Sequence, residues 1–149
     1  MELKHIESEE RDGLLPELLL VWESSVRATH DFLREGDVDF LRPYVEQGVK
    51  EIPVLLCALE EGRPLAFLGM AEDSIEMLFV HAESRHKGIG SALMREALSR
   101  GARRVDVNEQ NPQALGFYQS FGFEVASRDE VDSLSLPYPI LHCSLPEAV

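Results

Sequence analysis

The segment Arg85-His86-Lys87-Gly88-Ile89-Gly90-Ser91 gathers residue types that hold an oxyanion. Two glycines precede the apolar residues Leu93, Met94, Ala97 and Leu98, which with Ile89 recur at three- and four-residue steps and so mark a helix. The first turn of a helix presents N–H groups without intrahelical acceptors and the positive end of the macrodipole. Gly88 and Gly90 carry no Cβ, so a phosphate can come close to that backbone. Arg85 and Lys87 add positive charge beside it. Together these residues describe a diphosphate cradle; the alternative is a helix start that uses glycine for tight packing, which two glycines alone would favour. A P-loop is excluded, because no Lys-Ser/Thr follows the second glycine. A dinucleotide fingerprint is also excluded: Leu93 stands where its third glycine belongs, and that motif opens a chain's first βα unit.

The charge pattern suits such a site. The 149 residues include 27 acidic and 14 basic ones, a formal net charge of −13. Residues 85–104 nevertheless hold six bases and one acid (+5), against 19 acids and seven bases (−12) in residues 1–84. A basic stretch in an acidic protein suggests an anion site, and the acidic remainder would suit a cationic second ligand; on charge alone, a solvated helix face and generic acidity for solubility are the favoured reading. The overall charge argues for no nucleic acid and no membrane as partners, since phosphate contacts need Lys and Arg. No apolar run approaches the ~18–20 residues that span a bilayer. Met1 to His5 lacks the apolar core of a signal peptide, so the expected location is cytoplasmic. Cys57 and Cys143 lie in apolar runs without Cys or His at metal spacing. They read as buried reduced thiols, and no metal is expected.

The elements that position the cradle follow from periodicity. Hydrophobic residues make up 44% of the chain and charged ones 28%, which fits one globular domain over 1–149. Leu3 to Ile6 reads as a strand. A helical pattern begins near Leu14 and runs through Leu18, Trp22, Val26 and Thr29 to Leu33. Asp37 reads as the cap of a second helix, which Pro53 ends. Three strands follow as a meander: Val54 to Leu59, Pro64 to Met70 and Ile75 to His81. The cradle helix runs to Gly101. Val105 to Val107 is a short strand, and Pro112 sits near the start of another helix, which reaches Gly122. Phe123 to Ala126 and Ile140 to Leu145 are the last strands. The fold class is α+β, one sheet between helices.

A second cluster follows the Val105 to Val107 strand: Asn108, Asn111, Ala114, Phe117-Tyr118 and Gly122-Phe123. Joined to Arg85-x-x-Gly88-x-Gly90 after a Leu-Phe-Val strand, this order resembles the GNAT superfamily of acetyl-CoA-dependent N-acetyltransferases. The resemblance covers residues 75 to 126. The Trp22…Ala28-Thr29-His30-x-Phe32-Leu33 helix and the Pro137-Tyr138-Pro139 tail are similar to a small bacterial subgroup.

The resemblance implies a mixed, mostly antiparallel sheet of about seven strands, with helices on both faces and a splay between the fourth and fifth strands. It implies that Leu78, Phe79 and Val80 pair with the pantetheine arm like an added strand. Amides of Arg85, His86, Lys87, Gly88, Ile89, Gly90 and Ser91 would hold the pyrophosphate. Asn108 would position the thioester and Asn111 would bond the pantetheine. Ala114 and Phe117 would pack on the cofactor, although plain core is an equal reading of Phe117. Tyr118 would protonate or hydrogen-bond the departing thiolate, since a phenol of ordinary pKa about 10 keeps its proton at neutral pH; without the surrounding motif, a helix tyrosine packed against the sheet would be the favoured reading. Glu76 would take the amine proton through a water. It stands four residues before Val80, on the face of Leu78 and Val80 by strand alternation. An ordinary solvent-facing glutamate is the equal alternative.

The acceptor side is less legible. Trp22, Ser25, Val26, Thr29 and His30 share one helix face. Trp22, Thr29 and His30 are candidates to line an acceptor pocket, with Tyr138 covering it; hydroxyls bonded back to helix carbonyls are the bland alternative, favoured for Ser25. The expected reaction is direct transfer from acetyl-CoA to a small cationic primary amine. A protein lysine or N-terminus is the rival acceptor, and a non-catalytic acyl-CoA sensor the rival class. Members of the family often form homodimers, but no segment here marks an interface.

Overall fold

A computed structural model describes residues 1–29, 34 and 36–146. Its elements are β1 (Glu2–His5), α1 (Ser8–Thr29), α2 (Asp37–Glu51), β2 (Val54–Glu60), β3 (Arg63–Ala71), β4 (Ser74–Val80), α3 (Ile89–Ser99), β5 (Arg104–Asn108), α4 (Pro112–Gln119), β6 (Glu124–Asp129) and β7 (Ile140–Ser144). A single 3-10 turn, Ala82–Ser84, lies between β4 and α3. The strands form one seven-stranded sheet in the order β1-β2-β3-β4-β5-β7-β6. Every neighbouring pair is antiparallel except β4 and β5. The α+β sheet expected from the sequence is present.

Strand alternation divides the core in two. Leu56, Ala58, Ala66 and Leu68 pack with Ile89, Leu93, Met94 and Ala97 of α3. Leu55, Cys57, Leu59 and Phe67 face the other way, against Leu18, Val21, Trp22, Val38 and Val49 of α1 and α2. The sheet is therefore covered on both faces, and both walls of the site are anchored in packed core.

Boundaries depart from the sequence expectation where polar residues do the work. α1 starts at Ser8, ahead of the apolar pattern, on a first turn carrying Glu9 and Glu10. Acidic residues there suit the helix dipole but leave no hydrophobic signal. Asp37 is not the cap of α2: Gly36 holds that place with φ 91°, and Asp37 is the first helical residue. Its carboxylate accepts instead from the Arg34 N–H at 2.9 Å and from the Tyr138 hydroxyl. Buried Arg11 donates to the carbonyls of Ile6 at 3.1 Å, Val49 at 3.1 Å and Ile52 at 2.5 Å. It thus ties the start of α1 to the C-terminal end of α2, whose last carbonyls lack helical partners.

Candidate active site

β4 and β5 pair only at Ser74↔Arg104 and Ile75↔Val105, then separate. A bulge in β4 accompanies the opening. Met70 pairs with Ile75 and Gly69 with Met77, so Glu76 has no partner on β3. Such an extra residue bends a strand and increases its twist. It also interrupts alternation: Ile75 joins the α3-side core, whereas Met77 joins the opposite one. The parity used to place Glu76 therefore holds only on the Leu78 side of the bulge.

A groove of about 350 Å³ runs from the start of α3 to this opening. One bank consists of Ser84, Arg85, His86, Gly88, Ile89, Gly90 and Ser91, and β4 contributes Leu78, Phe79 and Val80. The other bank is α4, through Asn111, Gln113, Ala114, Phe117 and Tyr118, with Ser25 and Thr29 of α1 at one end. A smaller cavity of about 140 Å³ lies in the splay itself. It shares Leu78, Phe79, Asn111, Ala114 and Tyr118 with the groove and adds Glu76 and Asn108. The opening thus brings Glu76, Asn108, Asn111 and Tyr118 to one place.

Local sequence explains the bank at α3. Gly88 caps the helix with φ 79°, and His86 precedes it at φ 63°. This left-handed backbone turns the loop into the helix, and a Cβ on Gly88 would meet nothing within 4 Å. The first intrahelical bond is from the Ala92 N–H to the Gly88 carbonyl at 3.0 Å. The amides of Ile89, Gly90 and Ser91 donate to no group among the described residues. Open space above a glycine and unspent N–H groups fit a diphosphate. His81 caps the 3-10 turn, its Nδ1 accepting from the Glu83 N–H at 3.2 Å.

The two asparagines are committed by one atom each. Asn111 caps α4, its Oδ1 accepting from the Ala114 N–H at 3.1 Å. Asn108 Oδ1 accepts from the Gln110 N–H at 2.9 Å. Both amide NH2 groups remain for a ligand. Tyr118 is buried, yet its hydroxyl bonds to nothing among the described residues. Burial pushes this phenol well above its ordinary pKa, and the neighbouring Cys143 adds to the rise. It stays protonated throughout the neutral range. Burial likewise pushes the Cys57 thiol up to about 12, which leaves it unreactive.

Other expected site residues fall elsewhere. Lys87 is exposed and does not line the groove. Trp22 is only 2% exposed and sits in the α1–α2 core with the Arg42 guanidinium over its ring, so it forms no wall of a described cavity. Its size and helix position made core burial compete with ligand contact, and core burial won. Thr29 does line the groove, with its hydroxyl donating to the Ser25 carbonyl at 2.8 Å. His30 lies outside the described residues. Tyr138 is buried against Asp37 rather than open to the groove. The sequence reading missed Gln113, which has no motif but lines the groove and accepts a bond from Arg85 at 2.9 Å.

A sheet opened at its one parallel pair, with unspent helix amides along one bank of the groove and a buried phenol where groove and splay meet, has the construction of an acyl-thioester-dependent transferase. The model of the acetyltransferase (GNAT) domain matches residues 52–125. The peptidyl-lysine N-acetyltransferase YjaB of Salmonella typhimurium is 37% identical over 87% of this chain and 90% of its own. The Escherichia coli protein of the same name is 39% identical over 85% and 86%. The solution structure of apo-form YjaB from Escherichia coli superposes with a TM-score of 0.84 at 36% identity, covering 99% of this chain and 98% of that one. The chain belongs to the GNAT family of N-acetyltransferases. It is an acyltransferase, and its donor is acetyl-CoA.

Proposed function

We propose that the protein acetylates the ε-amine of lysine side chains in other proteins, with Tyr118 and Glu76 as its catalytic residues. This acceptor is the rival that the sequence left open, and it displaces the small cationic amine favoured there. Two relatives that share more than a third of their residues with this chain are named peptidyl-lysine N-acetyltransferases. The acidic character of residues 1–84 suits an approaching ammonium group equally well.

The observation that carries the chemistry is the Tyr118 hydroxyl, without a hydrogen-bond partner among the described residues, at the junction of groove and splay. When bound, acetyl-CoA supplies an activated acetyl carbonyl and a thiolate leaving group. Amides of His86 and of residues 88–91 would hold its diphosphate, helped by the Arg85 guanidinium, while the freed β4 edge at Leu78 to Val80 would orient the pantetheine arm. The Asn108 and Asn111 NH2 groups fix the thioester end, and Ala114 and Phe117 pack beside it. The acceptor must reach the carbonyl as a neutral amine. Glu76 takes its proton, through a water where the distance requires one. The amine lone pair would then form the C–N bond as the C–S bond breaks; Tyr118 would give its proton to the departing sulfur, and the surplus proton on the acetylated nitrogen would return to the phenolate through water. A phenol held protonated by burial suits that donation. Thr29 lies on the acceptor end of the groove.

Incubating the protein with acetyl-CoA and a panel of lysine peptides, peptides with only a free N-terminus, and free polyamines tests the acceptor. Mass spectrometry should find one acetyl group per lysine ε-amine. Turnover confined to the free polyamines would overturn the acceptor assignment.

A further inference from the structure

Arg85 and Gln113 stand on opposite banks of the donor groove. Arg85 follows the 3-10 turn, Gln113 lies in the first turn of α4, and both line the groove. The Arg85 Nη2 donates to the Gln113 Oε1 at 2.9 Å. We propose that Gln113 is a positioning residue for the donor, holding the Arg85 guanidinium across the groove so that it meets the diphosphate of acetyl-CoA already oriented. The proposal rests on the reading of Arg85 to Ser91 as the diphosphate cradle.

Three observations support a positioning role rather than a blocking one. A guanidinium has five N–H donors, and a bond through Nη2 leaves the others for phosphate oxygens. The acceptor is a neutral amide. Arg42, Arg100, Arg104 and Arg128 each face a carboxylate, whereas Arg85 has none within ion-pair distance among the described residues. A carboxylate at position 113 would neutralise the arginine and repel the incoming diphosphate. Gln113 also stands on a stiff base, between the Asn111 cap with Pro112 and the Ala114 amide that the cap binds. A long side chain held in advance loses less freedom when the ligand arrives.

The experiment measures CoA affinity by calorimetry for the unmodified chain, Gln113→Ala, Arg85→Ala and the double variant. Gln113 is exposed, so its removal leaves the core intact. Gln113→Ala should weaken CoA roughly three- to ten-fold. In the Arg85→Ala background the same change should add less than about two-fold, because the partner is already gone. The KM for acetyl-CoA should rise in Gln113→Ala while kcat at saturation moves by less than about two-fold. With S-acetylpantetheine, which has the thioester but no diphosphate, the loss in kcat/KM should vanish. No loss in Gln113→Ala, a loss that persists in the Arg85→Ala background, or an equal loss with S-acetylpantetheine overturns the proposal. Unweakened CoA binding in Arg85→Ala would overturn the role of this side chain in the cradle as well, and so separates the two failures.

Discussion

Tyr118, on α4, and Glu76, the bulged residue of β4, line the same cavity where β4 parts from β5. One brings a hydroxyl with no hydrogen-bond partner among the described residues, the other a residue whose backbone the bulge leaves without a partner on β3. The bulge that removes Glu76 from the ladder accompanies the opening that makes room for a thioester beside Tyr118. The proposed proton acceptor and the proposed proton donor thus meet beside one irregularity in one strand.

Tyr118→Phe keeps the ring packed against Phe117 and Phe123 and removes only the hydroxyl. That oxygen bonds to nothing within the described residues, so folding stability should be nearly unchanged. The expected loss is in kcat, by about 10²-fold or more. CoA affinity, measured by calorimetry, should stay within about two-fold. Equal kcat values for the two proteins would remove Tyr118 from proton donation.

Glu76→Gln should lower turnover with lysine acceptors, because the ammonium form must lose its proton in the site. The defect should shrink with acceptor amines of low basicity, which arrive neutral. A ratio of wild-type to variant kcat that falls steadily along a series of decreasing amine pKa checks this. A flat ratio would show that the glutamate acts on something other than the amine proton.

Gly88 adopts φ 79° above open space. A Cβ there meets no atom within 4 Å, yet a valine backbone at this φ is strained by about 1–2 kcal/mol. Its side chain also enters the proposed place of the diphosphate. Gly88→Val should therefore lose detectable CoA binding while its melting temperature drops by only a few degrees. Native CoA affinity in this variant would contradict the cradle.

The cradle is legible in the sequence because its signals are local: glycine spacing, the helical period after it, and flanking bases lie within a few residues. The sheet is legible for the same reason, since each short apolar run between turn signals marks its strand separately. Alternation cannot reveal the bulge at Glu76, which is a property of pairing with β3. Bonds between distant segments are equally silent. The Tyr138 hydroxyl on Asp37 and the Arg85 bond to Gln113 join residues with no shared period or motif. Trp22 shows the converse case, in which a helix face that reads equally as pocket or core is settled by what packs against it.

Arg11 is 3% exposed and serves carbonyls at both ends of a long connection. Truncating it to alanine leaves several buried acceptors unsatisfied and opens a cavity between α1 and the end of α2. The expected loss of folding stability is about 2–4 kcal/mol. Urea denaturation should show the midpoint falling with the slope unchanged. Activity at low temperature should survive, since Arg11 is remote from the groove.

His142 stands on the open face of the sheet, its Nε2 at 2.7 Å from Asp129 of β6 and its Nδ1 at 2.7 Å from Asp106 of β5. Both bonds are donated at once only by the imidazolium. Asp129 first and then Asp106 raise its pKa above the ordinary 6.5. Arg104, which lines the same face, is already bound to Asp73, and Glu72 and Glu76 there add further negative charge. The folded chain therefore binds this proton more tightly than the unfolded one. The resulting stability is complete below about pH 6.5 and is lost as pH rises through the folded value. With the ring 35% exposed, solvent screening limits the effect to under about 1 kcal/mol. The melting temperature should decline from pH 6 to pH 9 in the unmodified chain, and His142→Asn should flatten that decline. A decline of the same size in the variant would place the titrating group elsewhere.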